Sequence, residues 1–186
     1  WRRGWLLHGA PGNGKTTFVE VMAEELALPL HRYDIASFTN EDIGKMSTAD
    51  PAAILLFDDI DCVFSGRKNV SGIEDSLTFD AFLRWLDSPQ REGSFVVLTT
   101  NFIEKLDLAL SDRPGRIDHV YEISHPNAPG RRKVAEHIMG HDHPDLEKQL
   151  AAWQNDEQAG KPPTAATVTE VARTLALHHY WKTRQN

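Results

Sequence analysis

The sequence predicts an α/β fold with a mainly parallel five-stranded sheet, and three observations carry this prediction. Short apolar runs alternate with helical patterns along residues 4–123, at the spacing of strand–helix–strand units. The run at residues 53–57 is continuously apolar, as expected for a strand covered on both faces. Beyond residue 126 only helical periodicity remains. We therefore expect an α/β subdomain at residues 1–126 and a helical subdomain at residues 127–186.

The individual elements follow from periodicity and capping residues. Strands are predicted at residues 4–8, 28–35, 53–57, 95–100 and 120–123, and helices at residues 15–26, 77–86, 131–139, 146–153 and 167–181, with a polar loop at residues 65–76. Thr39 with Asp42 predicts the start of a further short helix that ends before Asp50. Thr167 and Glu170 form a T-x-x-E capping box for the last helix. The first helix is expected to bury Phe18, Val21, Met22 and Leu26.

The composition is that of an ordinary globular protein with an acidic balance. The 186 residues are 40% hydrophobic, and 20 Lys and Arg stand against 27 Asp and Glu, a net charge of −7. This charge argues against non-specific nucleic-acid binding as the main task. Cys62 is the only cysteine, which excludes an intramolecular disulfide and favours a reducing compartment such as the cytoplasm.

The start of the chain predicts that the sequence is a fragment. It begins with Trp1, and the first predicted strand follows almost at once. A missing N-terminal region would leave a mitochondrial or membrane-anchored location open. No apolar run approaches the length of about 20 residues that crosses a bilayer, so we expect no membrane contact within this fragment.

A glycine-rich loop between the first strand and the first helix predicts a phosphate-binding site. Gly9, Gly14, Lys15 and Thr16 fill the P-loop pattern G-x-x-x-x-G-K-[ST]. The loop amides and the helix N-terminus favour an anion, the lysine can reach the β- and γ-phosphates, and the hydroxyl can ligate Mg²⁺. A glycine-rich turn with a chance lysine is the alternative, and the four fixed positions disfavour it. The predicted nucleotide-binding residues are Gly9, Ala10, Pro11, Gly12, Asn13, Gly14, Lys15, Thr16 and Thr17.

Polar residues follow two further strands at the end where a ligand of a parallel sheet binds. Asp58 and Asp59 follow the strand at residues 53–57 and occupy the Walker B position. The first carboxylate is predicted to hold Mg²⁺ together with Thr16, and the second to orient the attacking water. Asn101, after the strand at residues 95–100, could contact that water and the γ-phosphate. A solvated strand end is the alternative for the acidic pair.

Two further groups of residues leave their interpretation open. Arg113 and Arg116 flank a Pro-Gly turn, which is either an arginine-rich surface turn or a pair of arginine fingers supplied to a neighbouring subunit's nucleotide. Histidines occur in two pairs, at residues 141 and 143 and at residues 178 and 179. Metal binding by either pair would need a third ligand.

Together these motifs resemble the AAA+ ATPase module. The resemblance rests on the P-loop, residues 55–61 (LLFDDID), 98–101 (LTTN) and 113–118 (RPGRID). Residues 77–87 and the LD pair at residues 106–107 are most similar to the subgroup of the mitochondrial Rieske-protein translocase. The resemblance implies a P-loop NTPase fold with a C-terminal helical lid, a homo-oligomeric ring, and ATP- and Mg²⁺-dependent remodelling of a protein partner. It implies that Asp59 is the catalytic carboxylate, Asn101 the sensor, and Arg113 and Arg116 trans-acting fingers.

Three departures from the family pattern qualify these implications. Most similar proteins have Glu where Asp59 stands, so turnover is expected to be slow or assisted by Asp61. One extra residue, Asp112, precedes Arg113, which makes Arg116 the safer finger. The aromatic–apolar–Gly pore loop of many relatives is not evident.

The leading functional prediction is a ring-forming, Mg²⁺-dependent ATPase that remodels or translocates a protein. A nucleic-acid-acting AAA+ loader is an alternative that the acidic balance disfavours. A regulatory module that binds ATP and hydrolyses it slowly is a second alternative, which Asp59 keeps open. A P-loop kinase is disfavoured, because the acidic pair, Asn101 and the arginines would then have no joint role.

Overall fold

The computed structural model describes residues 3–46, 52–65, 68–69, 76–88, 94–106, 110 and 116–184. The chain divides into two compact units. The α/β unit comprises Trp1–Gly9 and Lys15–Ile123, and the helical unit comprises Ala10–Gly14 and Ser124–Asn186. The glycine-rich loop is thus grouped with the C-terminal helices, whereas the strand and helix on either side of it belong to the α/β unit.

The α/β unit is built on a five-stranded parallel sheet, which confirms the predicted fold class. In chain order its elements are β1 (Arg3–His8), α1 (Lys15–Glu25), β2 (Leu30–Tyr33), α2 (Asn40–Lys45), β3 (Ile54–Phe57), β4 (Phe64–Ser65), β5 (Lys68–Asn69), α3 (Phe79–Asp87), β6 (Phe95–Thr100) and β7 (His119–Glu122). The strand order in the sheet is β2-β3-β6-β1-β7, with every pair parallel. Strands β4 and β5 pair separately as a small antiparallel ribbon.

Alternate residues of the central strands pack into two hydrophobic cores, one on each face of the sheet. Leu7, Ile54, Leu56 and Val97 pack with α1 on one face. The larger core on the other face joins the sheet to α2 and α3; it includes Leu6, Ile43, Leu55, Phe57, Phe82, Trp85, Val96 and Leu98. Because both faces are covered, the central strands are continuously apolar, which is why the sequence identified them.

Helix α1 buries a different face from the one expected. Its buried residues are Lys15, Val19 and Ala23, four positions apart. Of the residues expected inside, Met22 packs partly buried against this core, whereas Phe18, Val21 and Leu26 are 45%, 51% and 56% exposed. The helix begins at the end of the glycine loop, so its first residue fixes which face turns to the sheet. The stripe that contains Lys15 therefore faces inward, and hydrophobicity alone pointed to the wrong side.

Helix α2 starts after the predicted cap Thr39, whereas α3 starts at Phe79, two residues later than predicted. Thr39 accepts a hydrogen bond from the amide of Asp42 and Asp42 bonds back to the Thr39 amide, which completes a capping box. Thr78 caps α3 through the amide of Ala81. Trp85 on α3 donates its indole N–H to the Met46 carbonyl at 3.1 Å, which ties the end of α2 to α3.

The predicted loop at residues 65–76 differs in its first part, because Phe64–Ser65 pairs with Lys68–Asn69. Each strand of this ribbon has only two residues, which is too short for a periodicity to register. Residues 66–67 and 70–75 of the predicted loop lie outside the described residues.

The helical unit consists of α4 (Ala128–Met139), α5 (Leu146–Gln158) and α6 (Ala165–Arg184) around a core of Ala135, Leu146, Trp153 and Val168. Arg131, 1% exposed, donates to the Pro126 carbonyl at 2.8 Å and to Glu157 at 2.5 Å, so its buried charge is paired. Among the described residues no helix is both long enough and apolar enough to cross a bilayer.

The predicted capping box at Thr167 is wrong. Helix α6 begins at Ala165, and the hydroxyl of Thr164 accepts the amide of Thr167 at 3.1 Å. Thr167 and Glu170 fit the T-x-x-E spacing, but Thr164 offers a capping hydroxyl three residues earlier. Thr164 directly follows a pair of prolines, which do not extend the helix toward the N-terminus.

Candidate active site

The candidate site lies at the carboxyl ends of three neighbouring strands of the α/β unit. Strand β6 pairs with β1 on one side and with β3 on the other. His8 lies opposite Thr100, and Phe57 lies opposite Leu98. The residues that follow these strands therefore lie next to one another; they are Gly9, Asp58 and Asn101. This is the edge of a parallel sheet at which ligands bind.

The glycine loop has a backbone that suits a phosphate. Gly9, Gly12 and Gly14 have φ angles of +142°, +79° and +90°, which side chains rarely tolerate. A Cβ on Gly9 would also lie 2.3 Å from the Ile123 carbonyl oxygen, so only glycine fits there. Successive turns of this kind direct amide groups toward an anion. Ala10, Pro11 and Asn13 occupy the loop between these glycines, and Thr17 is exposed on the first turn of α1.

Lys15 is the first residue of α1, and its side chain is held toward the strand ends. The residue is 6% exposed, and its Nζ donates to the Gly9 carbonyl at 2.9 Å and to Asn101 Oδ1 at 2.6 Å. Burial lowers the pKa of Lys15, while the carboxylates of Asp59, Asp58 and Asp61 oppose this shift. The ammonium group is therefore fixed in place beside three negative charges.

Thr16 and Asp58 form an oxygen pair that fits Mg²⁺. The Thr16 hydroxyl lies 3.0 and 2.9 Å from the two carboxylate oxygens of Asp58. Mg²⁺ prefers such hard oxygen ligands, and in nucleotide sites it takes few protein ligands because phosphates and waters supply the rest.

Asp59 has an unusual backbone that sets its carboxylate against Asn101. Its φ and ψ are 49° and 48°, a left-handed conformation that is uncommon outside glycine. Asn101 Nδ2 donates to Asp59 Oδ1 at 2.9 Å. Partial desolvation raises the pKa of Asp59, and the nearby Asp58 and Asp61 carboxylates raise it further. Backbone strain and a raised pKa at one carboxylate are typical of functional positions.

Two threonines of the site were given no role from the sequence, and Asp61 was expected only to assist Asp59. Thr99 donates to Asp58 and accepts the Asp59 amide at 2.9 Å, so one hydroxyl holds both carboxylate residues. Thr100 donates to the buried Asp61 at 2.7 Å. The available signal was a pair of threonines that is fully buried in an otherwise apolar strand, because buried hydroxyls need partners.

Arg32 on β2 was also missed. Its guanidinium lies 2.7 Å from Glu20 and 3.5 Å from Asp58. No motif includes it, since the contact depends on β2 lying beside β3 in the sheet.

The structure places Arg116 in an unexpected setting for a finger. It is 7% exposed and makes a two-pronged ion pair with Asp87 at the end of α3, at 2.8 and 2.6 Å. The adjoining backbone is also tightly packed, because a Cβ on Gly4 would lie 1.8 Å from the Arg116 carbonyl oxygen. Arg113 and Asp112 lie outside the described residues.

The histidine pairs do not assemble a metal site within the described residues. The His143 ring contacts the His179 ring with a centroid distance of 4.9 Å, and His141 lies 3.5 Å from Glu136.

Of the helical tryptophans, Trp85 and Trp153 are buried and Trp181 is 60% exposed.

A strand, a glycine loop and a helix that opens with a lysine and a hydroxyl define the class of P-loop nucleoside triphosphatases. Comparison with known families narrows this class. The model of the ATPase family associated with various cellular activities (AAA) matches residues 5–125 of the chain. The protein therefore belongs to the AAA family and is an ATPase, as the sequence motifs predicted.

The chain is similar to several mitochondrial chaperones. It is 32% identical over 157 residues to the probable mitochondrial chaperone bcs1 of Schizosaccharomyces pombe, which covers 81% of this chain and 34% of that protein. It is 40% identical over 138 residues to the probable mitochondrial chaperone BCS1-A of Dictyostelium discoideum, which covers 67% of this chain and 32% of that protein. It is 35% identical over 136 residues to the mitochondrial chaperone BCS1 of Danio rerio, which covers 67% of this chain and 32% of that protein. The chain thus spans about a third of the length of these relatives.

These relatives correct the expected location. The cytoplasm was favoured because Cys62 is the only cysteine, but the similar proteins are named as mitochondrial chaperones. A lone cysteine indicates a reducing environment and does not distinguish one reducing compartment from another. The expectation of a cytoplasmic protein is therefore wrong.

Proposed function

We propose that this AAA ATPase hydrolyses ATP in a Mg²⁺-dependent reaction coupled to remodelling or translocating a protein partner, and that it works as an oligomeric ring. The observation that carries the proposal is the connected set of contacts among Lys15, Thr16, Asp58, Asp59 and Asn101. These residues supply a cation, an oxygen pair for a metal, a carboxylate base and an amide at one edge of the sheet. Hydrolysis of a phosphoanhydride needs these four functions together.

Each side chain has a distinct task in this reaction. Lys15 neutralises charge on the β- and γ-phosphates, and its contact with Asn101 keeps it extended toward them. Thr16 and Asp58 would hold Mg²⁺, which neutralises the phosphate oxygens when bound. Asp59 accepts a hydrogen bond from the attacking water, and Asn101 orients that water between the carboxylate and the γ-phosphate.

The raised pKa of Asp59 suits it to accept a proton, since a stronger base polarises water more effectively. Its side chain is one methylene shorter than Glu, so the reach to water depends on the left-handed backbone at this residue. We propose that this geometry compensates in part for the shorter side chain and supports slow turnover.

The coupling to a protein partner is supported by the similar chaperones and by the net charge of −7. An acidic chain is poorly suited to the phosphate backbone of nucleic acids. We further propose a mitochondrial location, residues 1–126 as the nucleotide-binding subdomain and residues 127–186 as its helical lid, with Arg113 and Arg116 serving a neighbouring subunit's nucleotide.

A regulatory module that binds ATP and hydrolyses it slowly is the second candidate. The observation that favours it is the aspartate at position 59 in place of the longer glutamate. In that case the bound nucleotide would switch the conformation of the chain, and turnover would only reset it.

The dependence of specific activity on protein concentration tests the proposal. A ring with shared sites predicts that the ATPase rate per chain rises with concentration, requires Mg²⁺ and disappears with Lys15→Ala. Lys45→Ala is the matched control, because that exposed lysine pairs only locally with Glu41 on α2 among its described contacts. A Mg²⁺-dependent rate per chain that is constant down to the monomer would contradict the ring. Mg²⁺-ATP binding without measurable turnover would favour the regulatory module.

A further inference from the structure

Asp61 is a buried carboxylate that has no assigned task in the proposed hydrolysis. It lies in the 3₁₀ turn Ile60–Cys62 that follows the Walker B residues, and it is 8% exposed. Its Oδ1 accepts the Thr100 hydroxyl at 2.7 Å and the Asn101 backbone amide at 3.0 Å. A carboxylate removed from water must be compensated, so these two hydrogen bonds are strong constraints.

The two hydrogen bonds fix the point where the chain leaves β6. The Thr100 hydroxyl also accepts the Phe102 amide at 3.1 Å, so three consecutive residues, Thr100, Asn101 and Phe102, belong to one network. The side chain of Asp61 therefore connects the turn after β3 to the turn after β6. Because it accepts the backbone amide of Asn101, it holds the main chain of that residue and leaves the side chain to its other partners.

The Asn101 side chain is engaged on both of its atoms. Its Oδ1 accepts from Lys15 Nζ at 2.6 Å, and its Nδ2 donates to Asp59 Oδ1 at 2.9 Å. These two hydrogen bonds require the Asn101 side-chain amide to keep one orientation, with its oxygen toward the Lys15 ammonium and its nitrogen toward the Asp59 carboxylate. A small shift of the Asn101 backbone would displace both contacts at once, because they are made by the same side chain. Both contacts would then weaken, because hydrogen bonds weaken steeply with distance and angle.

We infer that Asp61 is a positioning residue that holds the Asn101 backbone so that the Asn101 amide can bridge Lys15 and Asp59 during ATP hydrolysis. The inference rests on the proposed function of these residues. Asp61 contacts neither of the other two side chains through a described hydrogen bond, and it acts through Asn101. Misplacing a catalytic group by about 1 Å can cost about 10²-fold in rate, so a residue of this kind affects turnover strongly.

The identity of the acceptor atom gives a discriminating substitution. Both described hydrogen bonds reach the same oxygen, Oδ1. Asp61→Asn keeps an oxygen at that position and places the amide nitrogen at the other, so it removes the charge and retains both acceptor contacts. Asp61→Ala removes the acceptor altogether. If the role is positional, the asparagine variant rescues the alanine variant.

The experiment measures kcat and KM for Mg²⁺-ATP in the unchanged chain, Asp61→Ala, Asp61→Asn, Asn101→Ala and the double variant Asp61→Ala/Asn101→Ala. We expect Asp61→Ala to lower kcat by about 10- to 100-fold with KM within about threefold, and Asp61→Asn to recover most of the rate. The double variant should be no slower than Asn101→Ala, because a residue that acts through Asn101 has no effect without it. Asp80→Ala on α3 controls for the loss of an exposed carboxylate.

Several outcomes would overturn the inference. Asp61→Ala with an unchanged kcat, or losses that multiply in the double variant, would show that Asp61 does not act through Asn101. If Asp61→Ala does not fold, the asparagine variant decides alone, since a rate as low as that of Asn101→Ala would indicate that charge matters and position does not. An unchanged chain without ATPase activity would instead overturn the proposed function, and the role of Asp61 with it.

Discussion

Asp58 and Asp59 are adjacent in sequence but stand in different surroundings. Asp58 receives hydroxyl hydrogen bonds from Thr16 and Thr99 and lies near the Arg32 guanidinium. Asp59 has left-handed backbone angles and bonds to the Asn101 amide. Two carboxylates with different partners can serve different functions, as a metal ligand and as a base.

The proposed metal role of Asp58 gives a prediction at the residue scale. Asp58→Asn should raise the Mg²⁺ concentration for half-maximal ATPase activity by about 10-fold or more, because a neutral amide binds a hard cation less strongly than a carboxylate. The measurement is a Mg²⁺ titration at fixed ATP. Asp80→Asn serves as control, since Asp80 is an exposed carboxylate on the first turn of α3. A normal Mg²⁺ requirement in Asp58→Asn would remove Asp58 from the metal site.

At the scale of single elements, sequence patterns located strands better than helix faces and helix starts. Strand β3 was recognised because both of its faces are covered and every residue is buried. The buried face of α1 was not recognised, because the charged Lys15 occupies the inward position and Phe18 on another face is exposed. The start of α6 depended on the choice between Thr164 and Thr167, and local spacing allowed both.

The capping box of α2 gives a stability prediction at the element scale. Thr39→Ala should lower the free energy of unfolding by about 1 kcal/mol at pH 7, because the amide of Asp42 in the first turn of α2 loses its acceptor. Denaturant unfolding measures this, with Thr174→Ala on the exposed face of α6 as control. A loss equal to that of the control would contradict the capping role.

The same capping box gives the sign of a pH effect. Hydrogen bonds from the Thr39 side chain and backbone lower the pKa of Asp42 in the folded state. A lowered folded pKa stabilises the protein above the ordinary Asp pKa of about 3.9, and the stabilisation is lost as pH falls through the lower folded value. Asp42→Asn should therefore be less stable than the unchanged chain at pH 7, and the difference should shrink below about pH 4. A difference that grows in acid would contradict this assignment.

At the scale of the whole molecule, the sequence identified the main groups of the candidate site but not the contacts that support them. The P-loop, Asp58, Asp59 and Asn101 each follow a strand that is readable from its apolar run. Arg32, Thr99 and Asp61 take part through pairings across neighbouring strands, and such pairings are set by sheet order. A sequence motif records residues that are close along the chain, so it does not show these contacts, although Thr99 and Asp61 lie inside the LTTN and LLFDDID motifs.

The ring hypothesis gives a prediction for Arg116 in an assembled sample. In the single chain Arg116 pairs with Asp87, so it must exchange that partner for a neighbour's nucleotide to act as a finger. Arg116→Ala should bind ATP nearly normally and hydrolyse it far more slowly, since trans-acting arginines contribute about 10³- to 10⁵-fold in rate. Mixed with Lys15→Ala in verified rings, it should recover partial activity, because some interfaces then join an intact P-loop to an intact arginine.

Asp87→Asn separates this role from a structural one. It keeps Arg116 and weakens the ion pair, so a finger that must leave Asp87 retains activity in this variant. If Arg116 serves only to hold the end of α3, Asp87→Asn and Arg116→Ala should lose stability and activity alike. In that case mixing with Lys15→Ala would give no recovery.

The most direct test of the proposed active site is the turnover of Asp59→Asn compared with its affinity for Mg²⁺-ATP. The asparagine keeps the shape of the side chain and loses the charge that polarises water, so we predict affinity within about threefold of the unchanged chain and turnover at least about 10²-fold lower. Calorimetry gives the affinity, and phosphate release under saturating Mg²⁺-ATP gives the turnover. Hydrolysis by Asp59→Asn at the rate of the unchanged chain would contradict the assignment of Asp59 as the catalytic carboxylate and the site built around it.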